Sequence, residues 1–267
     1  MLKKSVVITY NDYALSAVIA EQLKEKLIRA EFAVHHHFVG DEALIFTIGG
    51  DGSFIKTIHD FNFPSIPIVG INTGHLGFFQ EILPEQLDLF IENYQKQNYT
   101  LQEILPLQAT VYIADKRFII KSLNEIVLRS YLGKTVHLNL SINGNFIQCF
   151  GGDGLIISSS AGSTAYNYSA GGSIVDPSIN TLQITPLAPL NTNAYRSFTS
   201  SIISSSTSDI IVSPEEQYRN YISIIVDGVQ KHYNDFKEIV VTTHTDPIRV
   251  IRMDNYEFWN KVTNKFL

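Results

Sequence analysis

The chain has 267 residues, 45% of them apolar and 17% charged, a globular profile long enough for one large domain or two of moderate size. Its formal charge of −6 excludes general affinity for nucleic acid or an acidic membrane face, because no local basic patch offsets the repulsion. The only cysteine, Cys149, excludes an internal disulfide, and the first apolar run is too short for a signal-peptide core or a membrane span, so a cytoplasmic protein is expected.

In chain order, residues 6–10 are predicted as a buried strand. Leu15, Val18, Ile19, Leu23, Leu27 and Ile28 then fall at helical spacing over a polar face of Glu21, Lys24 and Lys26. A strand at 43–48, a helix at 53–61, a short strand at 66–71 and helical periodicity at 84–94 follow. His35, His36 and His37 do not form a metal site on this reading, since consecutive residues do not easily converge on one ion. Strand and helix in alternation predict a parallel sheet covered on both faces, with ligands at the carboxyl ends of the strands.

After Pro106 the pattern changes to short strands separated by turns, at 109–113, 118–121, 125–129, 136–142 and 146–150, with Asn143-Gly144 as a hairpin signal. Further strands are expected at 155–158, 210–213, 221–226 and 239–243, and the serine-rich stretch 200–208 reads as a solvated loop. Phe258, Trp259, Val262 and Phe266 then recur at helical spacing. The fold class expected is α/β plus all-β: a Rossmann-like α/β domain over residues 1–105, a β-sandwich-like domain over 106–244, and a tail, 245–267, whose helix packs back on the first domain.

Gly49-Gly50-Asp51-Gly52 joins the strand at 43–48 to the helix after it. Such a turn leaves backbone N–H groups pointing at whatever lies above it, with a helix N-terminus behind them, which is a phosphate cradle. A carboxylate repels phosphate unless it holds a metal or takes a proton from the attacking group, so Asp51 reads as chemistry. The alternative is an ordinary turn whose aspartate caps the helix. Neither G-x-x-x-x-G-K-[ST] nor G-x-G-x-x-G occurs in the chain.

Other candidate elements lie in both halves. Asn72-Thr73-Gly74-His75-Leu76-Gly77-Phe78 is a second glycine turn, in which His75 is placed to donate to a phosphate oxygen. Asn124-Glu125 pairs an amide with a carboxylate, a combination suited to ribose hydroxyls. Gly151-Gly152-Asp153-Gly154 nearly repeats the first loop but leads into a strand. The small-residue run from Ser158 to Gly172 permits close backbone contact with a base or a pyrophosphate, or is a small-residue helix packed on a sheet.

GGDG, NTGHLGF, NE, and GDG followed by GSTAYxxSAGG, in this order between Ile48 and Gly228, resemble the NAD kinase family. The resemblance implies transfer of the γ-phosphoryl group of ATP to the 2′-hydroxyl of the adenosine ribose of NAD. Asp51 matches the catalytic aspartate, expected to accept the hydroxyl proton. Gly49, Gly50, Gly52 and Phe54 match positions at the phosphates and the ligand. Asn124 and Glu125 match the ribose-holding pair, and Asp153 a residue on the nicotinamide side. Ser163, Thr164, Ala165, Tyr166, Asn167, Tyr168 and Ser169 match the loop around NAD, and Ala188 a contact after a turn at Pro186. Asp227-Gly228 matches a late VDG motif. His137 or Lys134 is expected to stand in for a basic residue often found near Gly151.

Two departures stand out: Ser159-Ser160-Ala161 replaces the usual Thr-Pro-Thr, removing a proline constraint, and Gly151 has no cation beside it in sequence. Mg²⁺ is expected to arrive with the ATP phosphates, without a dedicated protein cage, and the resemblance suggests a homotetramer. The competing readings are another GGDG kinase acting on a lipid or sugar, and a non-catalytic NAD-binding sensor. The first needs an apolar groove or a sugar-phosphate clamp, and the second is expected to lack the acid at the loop centre.

Overall fold

The computed structural model describes residues 4–74, 77–191, 196–254 and 256–266. In chain order the elements are β1 (Ser5–Tyr10), α1 (Ala14–Arg29), β2 (Ala33–His35), β3 (Leu44–Gly49), α2 (Asp51–Asp60), β4 (Ile68–Asn72), β5 (Gln80–Ile82), α3 (Leu87–Lys96) and β6 (Thr100–Ile104). Then come β7 (Leu107–Ile113), β8 (Lys116–Ser122), β9 (Glu125–Ser130), β10 (Val136–Ile142), β11 (Asn145–Gly152), β12 (Gly154–Ser159), α4 (Tyr166–Ser169), β13 (Thr181–Leu187), β14 (Ile202–Ser205) and β15 (Ile210–Pro214). β16 (Ile222–Val226), β17 (Val229–His232), β18 (Phe236–Thr243), β19 (Ile248–Arg252) and α5 (Phe258–Phe266) complete the order. The chain divides into two compact units, residues 1–104 with 247–267, and residues 105–246.

The first unit is an α/β layer structure. Its sheet runs β2-β1-β3-β4-β19-β6 with β5 beside β4; all pairs are parallel except the last, β19 with β6. All six residues of β3 are buried, as expected for a strand covered on both faces. Ile19, Leu23 and Leu27 of α1 and Leu87 and Phe90 of α3 pack with Leu44, Phe46 and Ile48 in one cluster. β19 escapes the sequence pattern because Arg249 and Arg252 interrupt its apolar run. Arg252 is nonetheless buried, its guanidinium 3.1 Å from the equally buried Glu81 carboxylate. Such a pair is tolerated inside because each partner neutralises the other and the carbonyls of Phe78 and Phe79 take further N–H groups. The C-terminal helix α5 lies on this unit as expected, with the rings of Phe258 and Phe266 each 5.8 Å from that of Phe78.

The second unit holds two antiparallel six-stranded sheets, β11-β10-β15-β18-β7-β8 and β14-β13-β12-β9-β16-β17. Alternate residues of both sheets, among them Leu138, Leu140 and Phe150 from the first and Ile126, Leu128, Leu155 and Ile157 from the second, form one core cluster, so the unit is a β-sandwich. Asn143 and Gly144 turn β10 into β11 with φ of 51° and 76°, the left-handed pair that matches the twist of a hairpin. The stretch 200–208 is not simply a loop: β14 pairs with β13 along its edge, and Ile202 packs against the core. Pro186, expected at a turn, lies inside β13, beyond the last β14 partner at Ile184, where its missing N–H breaks no ladder bond on that side.

Candidate active site

Gly50 is the N-cap of α2, without a side-chain cap, and Asp51 is the first helical residue. Its carboxylate therefore does not cap its own helix. Instead Oδ2 accepts the Phe78 N–H and Oδ1 the Phe79 N–H, each at 3.0 Å, while the Lys265 ammonium of α5 lies 3.5 Å from Oδ2. The two amides fix the carboxylate plane, and the side chain stays 26% exposed, so lone pairs remain open to an incoming hydroxyl.

The glycines around it have two different causes. At Gly77 a Cβ would fall 2.3 Å from Asp51 Oδ1, and at Gly49, whose φ is 148°, it would fall 2.2 Å from Ser53 Oγ. Those two make room for the protein's own side chains. Gly50 and Gly52 would meet nothing within 4 Å, so their bareness leaves open space above the turn rather than relieving a clash. His75 lies outside the described residues. Phe54 is fully buried, stacked on Phe79 at 4.8 Å, with its N–H given to the Gly50 carbonyl; its place is packing under the turn.

On the second unit, Asp227 organises the Asn124-Glu125 corner. With φ at 45°, it accepts from the Ser122 hydroxyl at 2.7 Å and from the amides of Leu123, Asn124 and Glu125 at 2.7, 2.8 and 3.2 Å. The corner is thereby held by a carboxylate 102 residues away in sequence. Asn124 Oδ1 and Glu125 Oε2 are buried without hydrogen-bond partners, an unusual pair of orphans that a ligand's donors would satisfy. Burial, then the Asp227 charge, push the Glu125 carboxyl up to about 8 against a single favourable backbone hydrogen bond from Tyr166.

The run after β12 folds as a 3₁₀ turn, Ala161–Thr164, and the single-turn helix α4. Gly162 allows this, since a Cβ there would lie 2.1 Å from the Asn124 carbonyl. Two of the loop residues face inward: Ser163 Oγ accepts the Val175 N–H at 3.1 Å, and Asn167 Oδ1 accepts the Thr185 hydroxyl at 2.6 Å. Thr164, Ala165, Tyr166, Tyr168 and Ser169 stay at least partly accessible, and Asp153 is exposed at the tip between β11 and β12. Ala188 follows β13 with φ at 42°. His137 is buried in β10 beside Glu215 and Tyr218 and directly opposite Gly151, with Nε2 3.7 Å from where a Gly151 Cβ would lie. Of the elements that build these corners, sequence reading missed the Lys265 contact and the carboxylate-binding amides of Phe78 and Phe79, because both come from chain segments distant from Asp51.

An open parallel sheet with an acid-bearing glycine turn at a helix N-terminus, on a chain that continues into a β-sandwich with a preorganised amide-carboxylate corner, is an arrangement suited to a nucleotide-handling phosphotransferase. Family models for the ATP-NAD kinase N-terminal and C-terminal domains match residues 10–99 and 123–253. The chain is 35% identical to an NAD kinase of Finegoldia magna over 99% of its length and 98% of that protein's. It is 31% identical to NAD kinase 1 of Halalkalibacterium halodurans over 84% of this chain and 85% of that one. The chain belongs to the NAD kinase family. In fold it is similar to a yeast NADH kinase complexed with NADH, with a TM-score of 0.85 at 19% identity, covering 99% of this chain and 87% of that one. It is likewise similar to an NAD kinase from Archaeoglobus fulgidus in complex with ATP, with a TM-score of 0.78 at 21% identity over 98% of each chain.

Proposed function

We propose that the chain is an ATP-dependent NAD kinase that converts NAD to NADP. The observation that carries this reading is the Asp51 carboxylate, held by two backbone amides, partly exposed, and set among glycines whose absent side chains leave the turn open. A ribose hydroxyl is a poor nucleophile near neutral pH. Asp51 takes the 2′-hydroxyl proton as the oxygen bonds to the γ-phosphorus of ATP, the bond from that phosphorus to the β-phosphate oxygen breaks, and ADP leaves. The N–H groups of Gly49, Gly50 and Gly52 and the Lys265 ammonium are the groups of this turn suited to phosphate charge.

Asn124 and Glu125 are assigned to ribose hydroxyls, Asp153 to the nicotinamide side, and Thr164, Ala165, Tyr166, Tyr168, Ser169 and Ala188 to the rest of the dinucleotide. Ser163, Asn167 and Phe54 support these from within. Among the described residues, the clusters of metal-ligating side chains do not include Asp51, whose two oxygens already accept amides. Mg²⁺ is assigned to the MgATP substrate, arriving on its phosphates. No helix among the described residues is long and apolar enough to cross a membrane. A cytoplasmic homotetramer is part of the same proposal.

Incubation of purified protein with NAD and MgATP is expected to yield NADP. Labelling of a lipid or sugar with no NADP formed, or NAD binding without turnover, would replace the proposal with one of its two rivals.

A further inference from the structure

On the outer face of the sandwich sheet that contains β10, three side chains of different chemistry converge. Register explains how. Cys149 of β11 lies opposite Asn139 of β10, and His137 lies opposite Gly151, so Cys149 is the diagonal neighbour of His137 on one face of the sheet. Opposite His137, Gly151 brings no side chain of its own, and Leu190 Cδ1 lies 3.5 Å from where its Cβ would be. Glu215, just past β15, donates its N–H to the His137 carbonyl at 3.1 Å and so turns its carboxylate onto the same patch. One carboxylate oxygen accepts from the Cys149 thiol at 3.4 Å, and the other lies 3.7 Å from His137 Nδ1. A ligand atom from each of the three lies within 4.8 Å of the other two.

We propose that His137, Cys149 and Glu215 form a binding site for a borderline-soft divalent cation of the zinc type. Four ligands placed tetrahedrally at zinc bond lengths are about 3.3–3.8 Å apart; the contacts of Cys149 with one Glu215 oxygen and of His137 with the other are 3.4 and 3.7 Å, and one atom from each of the three falls within 4.8 Å, so small side-chain rotations close the set on an ion. The ligand set mixes nitrogen, sulfur and one carboxylate, which selects zinc-type ions over Mg²⁺ or Ca²⁺. Three protein ligands leave a fourth position for water.

The supporting side chains hold this geometry. The His137 ring is stacked on Tyr218 at 5.3 Å and 16°, and the Gln217 amide donates to Glu215 Oε2 at 3.2 Å. The Glu215 side chain is 39% exposed, which gives an ion a way in. On binding, the metal–sulfur bond replaces the S–H bond, and the thiol proton goes to solvent, one per ion. A second cluster of metal-ligating type, His35 with Asp41 and Glu42, differs: Glu42 already accepts the amides of Val39 and Gly40, both at 2.8 Å, and is satisfied.

The test uses the full chain, stripped with chelator and titrated with Zn²⁺ and with Co²⁺. Expected are one ion per chain, release of one proton on binding, and a sulfur-to-cobalt charge-transfer band in the near ultraviolet. Cys149→Ser is expected to abolish the band and weaken Zn²⁺ binding roughly 100-fold or more, with NADP formation unchanged as proof of folding. Glu215→Gln is expected to weaken binding while keeping the band. No saturable Zn²⁺ binding by the wild type, or equal affinity in a folded Cys149→Ser protein, would overturn the site. Failure to make NADP would bear on the kinase reading alone, because metal stoichiometry and the cobalt band are read without substrate.

Discussion

Asp51 faces two N–H donors, so Asp51→Asn changes more than its proton affinity. An amide keeps one oxygen for Phe78 or Phe79 and turns an NH₂ toward the other donor. Turnover is expected to fall roughly 100-fold or more, while NAD affinity, measured by calorimetry, stays near the wild-type value. Wild-type turnover in Asp51→Asn would remove the general-base role. Glu125 supports a different kind of prediction. Its carboxyl is pushed up to about 8 from the ordinary 4.5, so the folded protein binds the extra proton between those limits. Stability therefore declines as pH rises from about 4.5 to about 8, since the charged form is disfavoured by burial and by Asp227. Melting temperatures across that window should slope downward in the wild type, less the contributions of other groups, and the slope should flatten in Glu125→Gln. Identical profiles for the two proteins would show that Glu125 does not titrate there.

Two elements hold the reactive residues from a distance. The turn between β16 and β17 supplies Asp227, which ties the amides of residues 123–125. Asp227→Ala leaves those buried donors without an acceptor, at a cost of about 3 kcal/mol in stability, and the KM for NAD is expected to rise as the Asn124-Glu125 corner loosens. Denaturant unfolding and initial rates measure both, and an unchanged KM would confine Asp227 to stability. Helix α5 supplies Lys265, whose ammonium lies 3.5 Å from Asp51 and 5.0 Å from the Phe78 ring centroid. The contact is partly exposed and contributes little stability, less than about 1 kcal/mol. Lys265→Ala is therefore expected to leave the melting temperature almost unchanged and to raise the KM for ATP several-fold, as a cation is lost from the phosphate side of Asp51. An unaltered KM would make Lys265 a bystander.

At the scale of the whole molecule, both edge strands of the second sandwich sheet, β14 and β17, carry exposed apolar side chains, Ile203 at 52% and Val229 at 62%. Unpaired edges of this kind favour association. Light scattering is expected to give about four times the 30.0 kDa chain mass, and a monomer at assay concentration would end the tetramer proposal. By itself the sequence determined the local part of this protein: the alternation of strands and helices, the Asn143-Gly144 hairpin, the GGDG turn with its acid, and the family. Those follow from side-chain periodicity and glycine conformational freedom, which act between near neighbours. Strands such as β13, β14 and β19 were illegible because proline, serine and arginine mask the apolar pattern until a neighbouring strand and a buried partner are in place. Only the tertiary structure decided that Asp51 is gripped by residues 78 and 79, that Asp227 holds Asn124 and Glu125, that Ser163 and Asn167 turn inward, and that His137, Cys149 and Glu215 meet. Each of those contacts joins residues that strand register or packing within one unit brings together, and no local rule of propensity or spacing encodes such a meeting.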